Sequence, residues 1–231
     1  MLENVFEIKP GIKAHLIQND IFKTNIACVL LTVPLEKDTV TSNALIPFLL
    51  RSGTKNLKSQ LEINRKLEEM YGATFDCGID KMGDNQVLKF YIESINDNFI
   101  NGKDNLLKDS INFVLEIVFN TLIENGKFNE DILNIEKENL KQVIEGKIDD
   151  KDIYAFENCI NEMYGDKGFG LYKYGYLEDI SQITDENLAE TYLKLINTCK
   201  IDIFISGDLK NTNIKDILIN NENIVKLSTR I

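Results

Sequence analysis

The first third of the chain alternates between short apolar runs and turn residues, a pattern that predicts β-strands. Residues 5–8 and 12–18 flank the turn dipeptide Pro10-Gly11, which favours a hairpin. Residues 26–33 form a nearly continuous apolar run with β-branched members. A run of this length and composition is typical of a buried central strand.

Apolar residues then recur with a helical period. They predict a helix over residues 39–50, ended near Gly53, and a second helix capped by Ser59, with Glu62 completing an S-x-x-E capping box. Gly72 is expected to end the second helix. Two alternating segments follow, residues 73–81 and 86–93, joined by a turn at residues 83–85. This part of the chain therefore predicts two helices followed by a second hairpin.

The rest of the chain is mainly helical in pattern. An apolar stripe runs from Leu107 to Leu122, and long helices are predicted over residues 129–148 and 150–164. Thr184 is expected to cap a further helix, followed by a strand over 201–206 and a helix over 212–220. This order predicts an α+β fold, with helices on one face of a mainly antiparallel sheet. We expect residues 1–231 to form one domain.

Charge and hydropathy narrow the classes of partner. Lys and Arg number 26 against 37 Asp and Glu, which gives a formal net charge of −11. So acidic a chain, without a basic cluster, is a poor ligand for nucleic acid. No apolar run is long enough to cross a bilayer, so no membrane partner is expected, and the N-terminus lacks the pattern of a signal peptide. We therefore expect a cytoplasmic location.

Histidine and cysteine limit the chemistry further. His15 is the only histidine, so this chain alone cannot build a His-rich zinc site. It is either a lone ligand or base, or a half-exposed histidine of the sheet. The four cysteines include no C-x-x-C pair, which excludes a zinc ribbon and favours buried structural thiols. No cofactor is expected.

A set of short motifs, in order and spacing, resembles the pitrilysin/insulinase family of zinc peptidases, which includes the mitochondrial processing peptidases. The resemblance runs from about Gly11 to Leu209 and is strongest for a YmfF-like bacterial branch. The motifs are Gly11-Ile12-Lys13, Leu50-Arg51-Ser52-Gly53-Thr54, Leu67 to Ala73, Glu136-Lys137-Glu138 with Glu145, Gly168 to Thr184, and Ile205-Ser206-Gly207-Asp208. The resemblance implies the fold of one half of such a peptidase.

The chain departs from the family at the residues that define the activity. Active members carry H-x-x-E-H on the first helix, where two histidines bind zinc and the Glu activates a metal-bound water. Aligned on Gly53-Thr54, these positions hold Ala44, Pro47 and Phe48, and no His or Glu lies between residues 39 and 61. Glu145 falls at the position of the distal ligand. One carboxylate does not make a zinc site, so the resemblance implies a half without catalytic or metal-binding residues.

Two groups of residues remain of interest. In active relatives the strand that matches residues 73–81 pairs with the substrate backbone, which makes Ala73, Thr74, Phe75, Asp76 and Cys77 candidate peptide-binding residues. An equally weighted interpretation is an edge strand protected by the charges of Asp76, Asp80 and Lys81. Glu138 and Glu145 share a helix face and would point towards the former metal site, or else they are solvated.

The resemblance implies three functional hypotheses. The first is the N-terminal, non-catalytic half of a two-half peptidase, which pairs with a zinc-bearing homologous half or with itself and helps to enclose an extended peptide. The second is a stand-alone peptide-binding or scaffold protein. The third, an active hydrolase with a relocated site, lacks any supporting cluster of residues.

Overall fold

The computed structural model describes residues 2–100, 105–210 and 212–228, with the side chains of residues 2 and 3 left out. The predicted domain 1–231 thus includes short segments outside the described residues. Six strands form one sheet in the order β1-β2-β6-β3-β5-β4. Neighbouring strands are antiparallel except β2 and β6, which run parallel. The predicted α+β class with a mainly antiparallel sheet is confirmed.

The elements follow one another along the chain with short connections. The strands are β1 (Leu2–Lys9), β2 (Ile12–Gln18), β3 (Thr24–Pro34), β4 (Thr74–Met82), β5 (Asn85–Ile95) and β6 (Lys200–Gly207). The longer helices are α1 (Lys37–Leu50), α2 (Gln60–Glu69), α3 (Leu106–Phe119), α4 (Glu130–Gly146), α5 (Lys151–Tyr164) and α7 (Asp185–Thr198). The shorter helices are α6 (Leu177–Ile180), α8 (Ile214–Ile219) and α9 (Glu222–Val225).

The core lies between one face of the sheet and the helices. Along β3, alternate residues Ala27, Val29 and Leu31 are fully buried, since successive side chains of a strand point to opposite faces. Helix α3 packs beneath β3 and β5, and α1 packs beneath β5 and β4. Helix α1 thereby joins the edge of the sheet to the helical layer, so the candidate residues on α1 and β4 become neighbours.

Two of the family motifs are explained by close packing. Gly175 has a φ of +79°, and a Cβ there would collide with Thr41 of α1. The Thr41 hydroxyl donates to Asp179 at 2.6 Å and accepts from the Tyr176 N–H at 3.1 Å. Gly207 has a φ of +146°, and a Cβ there would collide with the Asn25 side chain. Glycine at these two motif positions is therefore required by the packing of the fold.

The structure also corrects details of the sequence prediction. Ser59 caps α2, because its hydroxyl accepts from the Glu62 N–H. In a capping box the Glu62 carboxylate would accept from the Ser59 N–H. Here it accepts instead from the Lys58 N–H, at 2.7 Å. The helix predicted to reach Ile148 ends at Gly146 and continues as a short 3-10 turn over Lys147–Asp149. Residues 177–180 and 222–225 form short helices that the sequence pattern did not predict.

Candidate functional site

The three motif positions on α1 lie in the packed interior of the protein. Ala44 is fully buried, Pro47 is buried and Phe48 is half-buried. Pro47 lies within the helix and has no N–H to donate. This position therefore holds no carboxylate that could activate a water molecule, and its burial leaves no open space for one.

The edge strand closes over this part of α1. The Cys77 thiol of β4 donates to the carbonyl oxygen of Pro47, with a sulfur-to-oxygen distance of 3.3 Å. Burial raises the pKa of Cys77 to about 12. Since only the thiolate is a good nucleophile or metal ligand, Cys77 is a structural thiol at neutral pH.

A buried carboxylate on α4 faces the same region, and the sequence pointed to it only as one member of the Glu136-Lys137-Glu138 motif. Glu136 is buried, and its Oε2 lies 3.8 Å from a terminal guanidinium nitrogen of Arg51. Asn139 donates to the same oxygen at 2.9 Å, and the Arg51 guanidinium lies over the Phe48 ring at 5.3 Å. The signal in the sequence was the spacing of Leu133, Glu136 and Leu140, which share one helix face.

The two acidic residues that the resemblance had placed near a metal are both exposed. Glu145 has an exposed side chain near the end of α4, and Glu138 is exposed and 3.8 Å from Lys141. Over the described residues, no group of three or more His, Cys, Asp or Glu side chains is arranged to hold a metal ion.

The outer side of β4 is the last edge of the sheet. Strand β4 pairs with β5 in the register Met82↔Asn85 to Thr74↔Glu93, and no further strand of the described chain lies beyond it. Residues that flank a two-residue hairpin turn, here Met82 and Asn85, form a hydrogen-bonded pair, and pairing then alternates along the strand. Residues 75, 77, 79 and 81 therefore turn their backbone N–H and C=O groups outwards.

The charges on β4 do not all protect this edge. The Asp76 carboxylate accepts the Cys77 N–H at 2.8 Å and so satisfies one outward donor. Asp80 instead binds Lys89 at 2.8 Å and Lys173 at 3.5 Å. The Lys81 ammonium is buried against Glu157 at 3.0 Å and against two backbone carbonyls. Asp76 is thus the acidic side chain that engages the outward backbone.

The five candidate peptide-binding residues do not form one surface of side chains. Ala73 and Cys77 are buried, and Phe75 is half-buried with its ring edge-on to Phe113 at 5.5 Å. Thr74 and Asp76 are exposed and project to the opposite face of the sheet. These residues share the backbone edge, so any binding here would depend on main-chain hydrogen bonds.

His15 has structural contacts within the sheet. Its Nε2 lies 2.9 Å from Oδ1 of Asp202, and its ring stacks on Phe204 at 4.2 Å. Burial raises the pKa of Asp202, but hydrogen bonds from Lys200 and His15 outweigh burial and leave it below the ordinary value. These contacts agree with a half-buried histidine of the sheet.

Two of three comparisons with known proteins found proteins that this chain resembles. No model of a known protein family matches the sequence. Over 208 residues the chain is 30% identical to the probable inactive metalloprotease YmfF of Bacillus subtilis (strain 168), covering 90% of this chain and 49% of that protein.

Solved structures share the fold. A conserved protein from Enterococcus faecalis V583 has a TM-score of 0.89 at 24% identity, over 99% of this chain and 53% of its own. The peptidase M16 inactive domain from Pseudomonas fluorescens has a TM-score of 0.72 at 16% identity, over 99% of this chain and 52% of its own. The chain therefore spans about half the length of the proteins it matches.

Fold and site together define a peptidase-like half without the zinc-binding motif. The chain resembles an inactive half of the pitrilysin/insulinase-like, or M16-like, peptidases. Among the described helices, none is long and apolar enough to cross a membrane.

Proposed function

We propose that the chain is the non-catalytic half of an M16-like peptidase, which pairs with a zinc-bearing homologous half and holds an extended peptide on the outer edge of β4. The observation that carries this proposal is the combination of a filled motif site on α1 with an unpaired strand edge directly beside it. Pairing between halves would supply the catalytic chemistry that this chain lacks.

The contacts around the motif positions support a non-catalytic role. Cys77 and Pro47 are joined by a hydrogen bond, and Glu136 is already engaged by Arg51 and Asn139. A zinc ion requires three protein ligands and an open coordination position for catalysis. The residues in this region offer neither, so peptide hydrolysis would depend on a second protein.

The open edge of β4 supports peptide binding. Adding a strand to a sheet requires outward N–H and C=O groups, which do not depend on a metal. Residues 75, 79 and 81 offer such groups, and Asp76 already occupies the N–H of Cys77. The preferred peptide would be extended and free of proline at the pairing positions, since proline cannot donate to the sheet.

A stand-alone peptide-binding or scaffold protein is the second candidate. The same strand edge favours it, because binding by strand addition does not require a second half. The two proposals differ because only the first requires a second, zinc-bearing half. A cytoplasmic location is part of both proposals.

Pairing is tested by purifying the tagged chain from its native host and identifying co-purifying proteins by mass spectrometry. We expect a homologue that carries H-x-x-E-H, and its peptidase activity should rise when this chain is added. A zinc-bearing homologue that is fully active alone and does not bind this chain would contradict the subunit role and favour the stand-alone protein.

Peptide binding is tested with an array of short synthetic peptides followed by hydrogen exchange on the tightest binder. We expect slower exchange at residues 75, 79 and 81. Two N-methylated versions of the binder provide a matched control, one methylated at odd positions and one at even positions. Because only alternate residues face β4, one version should lose binding and the other should retain it. Equal binding of both, or an array without a binder, would exclude strand addition.

A further inference from the structure

Helix α5 carries an exposed apolar surface that spans most of its length. Ile153, Phe156, Cys159 and Met163 recur at helical spacing, and all are exposed, Phe156 at 57% and Met163 at 68%. We call these four residues the α5 apolar face. Apolar patches of this kind on a folded protein mark interaction surfaces.

The adjoining side of α5 packs against the body of the protein. Glu157 pairs with the buried Lys81 of β4, Ile160 is buried, and Asn161 donates to the Gly170 carbonyl at 3.3 Å. The Tyr164 ring meets the Phe169 ring edge-on at 5.6 Å. The α5 apolar face is therefore held in a fixed orientation by the adjoining face of the same helix, beside the strand that carries the open edge.

The charges beside the α5 apolar face are mainly acidic. Asp149, Asp152 and Glu162 are exposed there, and the neighbouring Lys151 ammonium donates to the Ile148 carbonyl at 2.6 Å. A second copy of this chain would bring acidic groups against acidic groups, which disfavours self-association through this face. A partner with an apolar stripe flanked by Lys or Arg would match both the apolar surface and the charge.

We infer that the α5 apolar face is the docking surface for the homologous half, which contacts it with an apolar helix flanked by basic residues. This inference rests on the proposed function, and it specifies which surface makes the pairing. The matched proteins are about twice as long as this chain, so each contains a further segment large enough to be such a half. Obligate interfaces between subunits are apolar at their centre, as the α5 face is.

The probe is a homologue from the same host that carries H-x-x-E-H, purified at full length and mixed with this chain. Cys159 is a native reporter, because it is the exposed cysteine while Cys77 and Cys199 are buried. We expect saturating amounts of the probe to slow maleimide labelling of Cys159 by at least about tenfold, and binding to weaken as salt increases, since salt screens exposed charges.

Two matched variants separate docking from folding. Phe156→Asp should weaken binding of the probe by about tenfold or more, which is typical when an interface anchor is lost. Leu193→Asp, at a residue of α7 that is 45% exposed, should leave binding unchanged. Circular dichroism verifies that both variants are folded. Equal weakening by both variants would contradict the inference.

The outcomes are distinct from those of the peptide experiment. Binding of the probe without protection of Cys159 would place the interface elsewhere and overturn the inference, while leaving pairing intact. No binding would overturn both the inference and pairing with such a half. Protection of Cys159 that grows with the concentration of this chain alone would identify a second copy as the occupant, and it would also overturn the inference.

Discussion

The thiol of Cys77 on the edge strand is hydrogen-bonded to the carbonyl of Pro47 on the first helix, at 3.3 Å. In the aligned family motif, Pro47 stands where a catalytic glutamate would activate water. The contact therefore joins the strand proposed to hold peptide to the position that the resemblance assigns to a catalytic glutamate.

Breaking the ion pair between Lys81 and Glu157 should strongly destabilise the fold. The side chains are only 7% and 12% exposed, and the ammonium also donates to the carbonyls of Phe169 and Leu171 at 3.1 Å. Lys81→Met leaves Glu157 buried without its partner, and we expect a loss of about 3 kcal/mol in the free energy of unfolding. Urea denaturation measures this value. Lys210→Met, which removes an exposed pair with Asp20, is the control and should leave the unfolding midpoint unchanged.

Asp76 should weaken the binding of an added strand at the edge of β4. Asp76→Ala releases the Cys77 N–H, which the carboxylate now accepts at 2.8 Å. We expect tighter binding of the array-selected peptide and more self-association at high concentration, because unprotected edges pair with other strands. Calorimetry and sedimentation velocity measure the two effects. Glu138→Ala removes the same charge from an exposed site on α4, and a similar gain in that variant would contradict the role of Asp76.

Asp202 should make the fold sensitive to acid. Its pKa is held below 3.8 because hydrogen bonds from Lys200 and His15 outweigh the effect of burial. A carboxylate with a lowered pKa in the folded state contributes stability that is complete above its unfolded pKa and lost as the pH falls through the folded value. The stability difference between the wild-type protein and Asp202→Asn should therefore be constant above about pH 5 and shrink as the pH falls from there through the folded-state pKa, as measured in urea titrations. A difference that also stays constant as the pH falls would exclude a stabilising role for the charge.

The four cysteines should differ clearly in reactivity. Cys159 is exposed, whereas burial raises the pKa of Cys77 to about 12 and that of Cys28 to about 11. Because thiolates react and buried thiols do not, we expect one fast-labelling thiol in the native protein and four after denaturation. Mass spectrometry should locate the fast label on Cys159. Rapid labelling of Cys77 would contradict the closed packing against Pro47.

The sequence predicted the fold well, because local patterns specify most of it. The hairpin at Pro10-Gly11 and the apolar run that became β3 each carry a strong signal of period and turn chemistry. The parallel pairing of β2 with β6 could not be predicted from local pattern, since Ile12 and Ile201 are brought together only by the tertiary fold.

The candidate site was less accessible to sequence reasoning. The absence of H-x-x-E-H could be recognised directly, but the distal-ligand alignment drew attention to Glu145, which is exposed. The buried carboxylate is Glu136, whose setting depends on how α4 packs against α1. Burial of this kind is decided by tertiary contacts that a single helix pattern does not reveal.

The most direct test of the central claim measures metal content and peptide cleavage on the purified chain, before and after addition of zinc. We predict no stoichiometric zinc and no cleavage in either condition, because Ala44, Pro47 and Phe48 replace the residues that bind zinc and activate water. One zinc per chain, together with cleavage that a chelator abolishes, would contradict the assignment of this chain as a non-catalytic half.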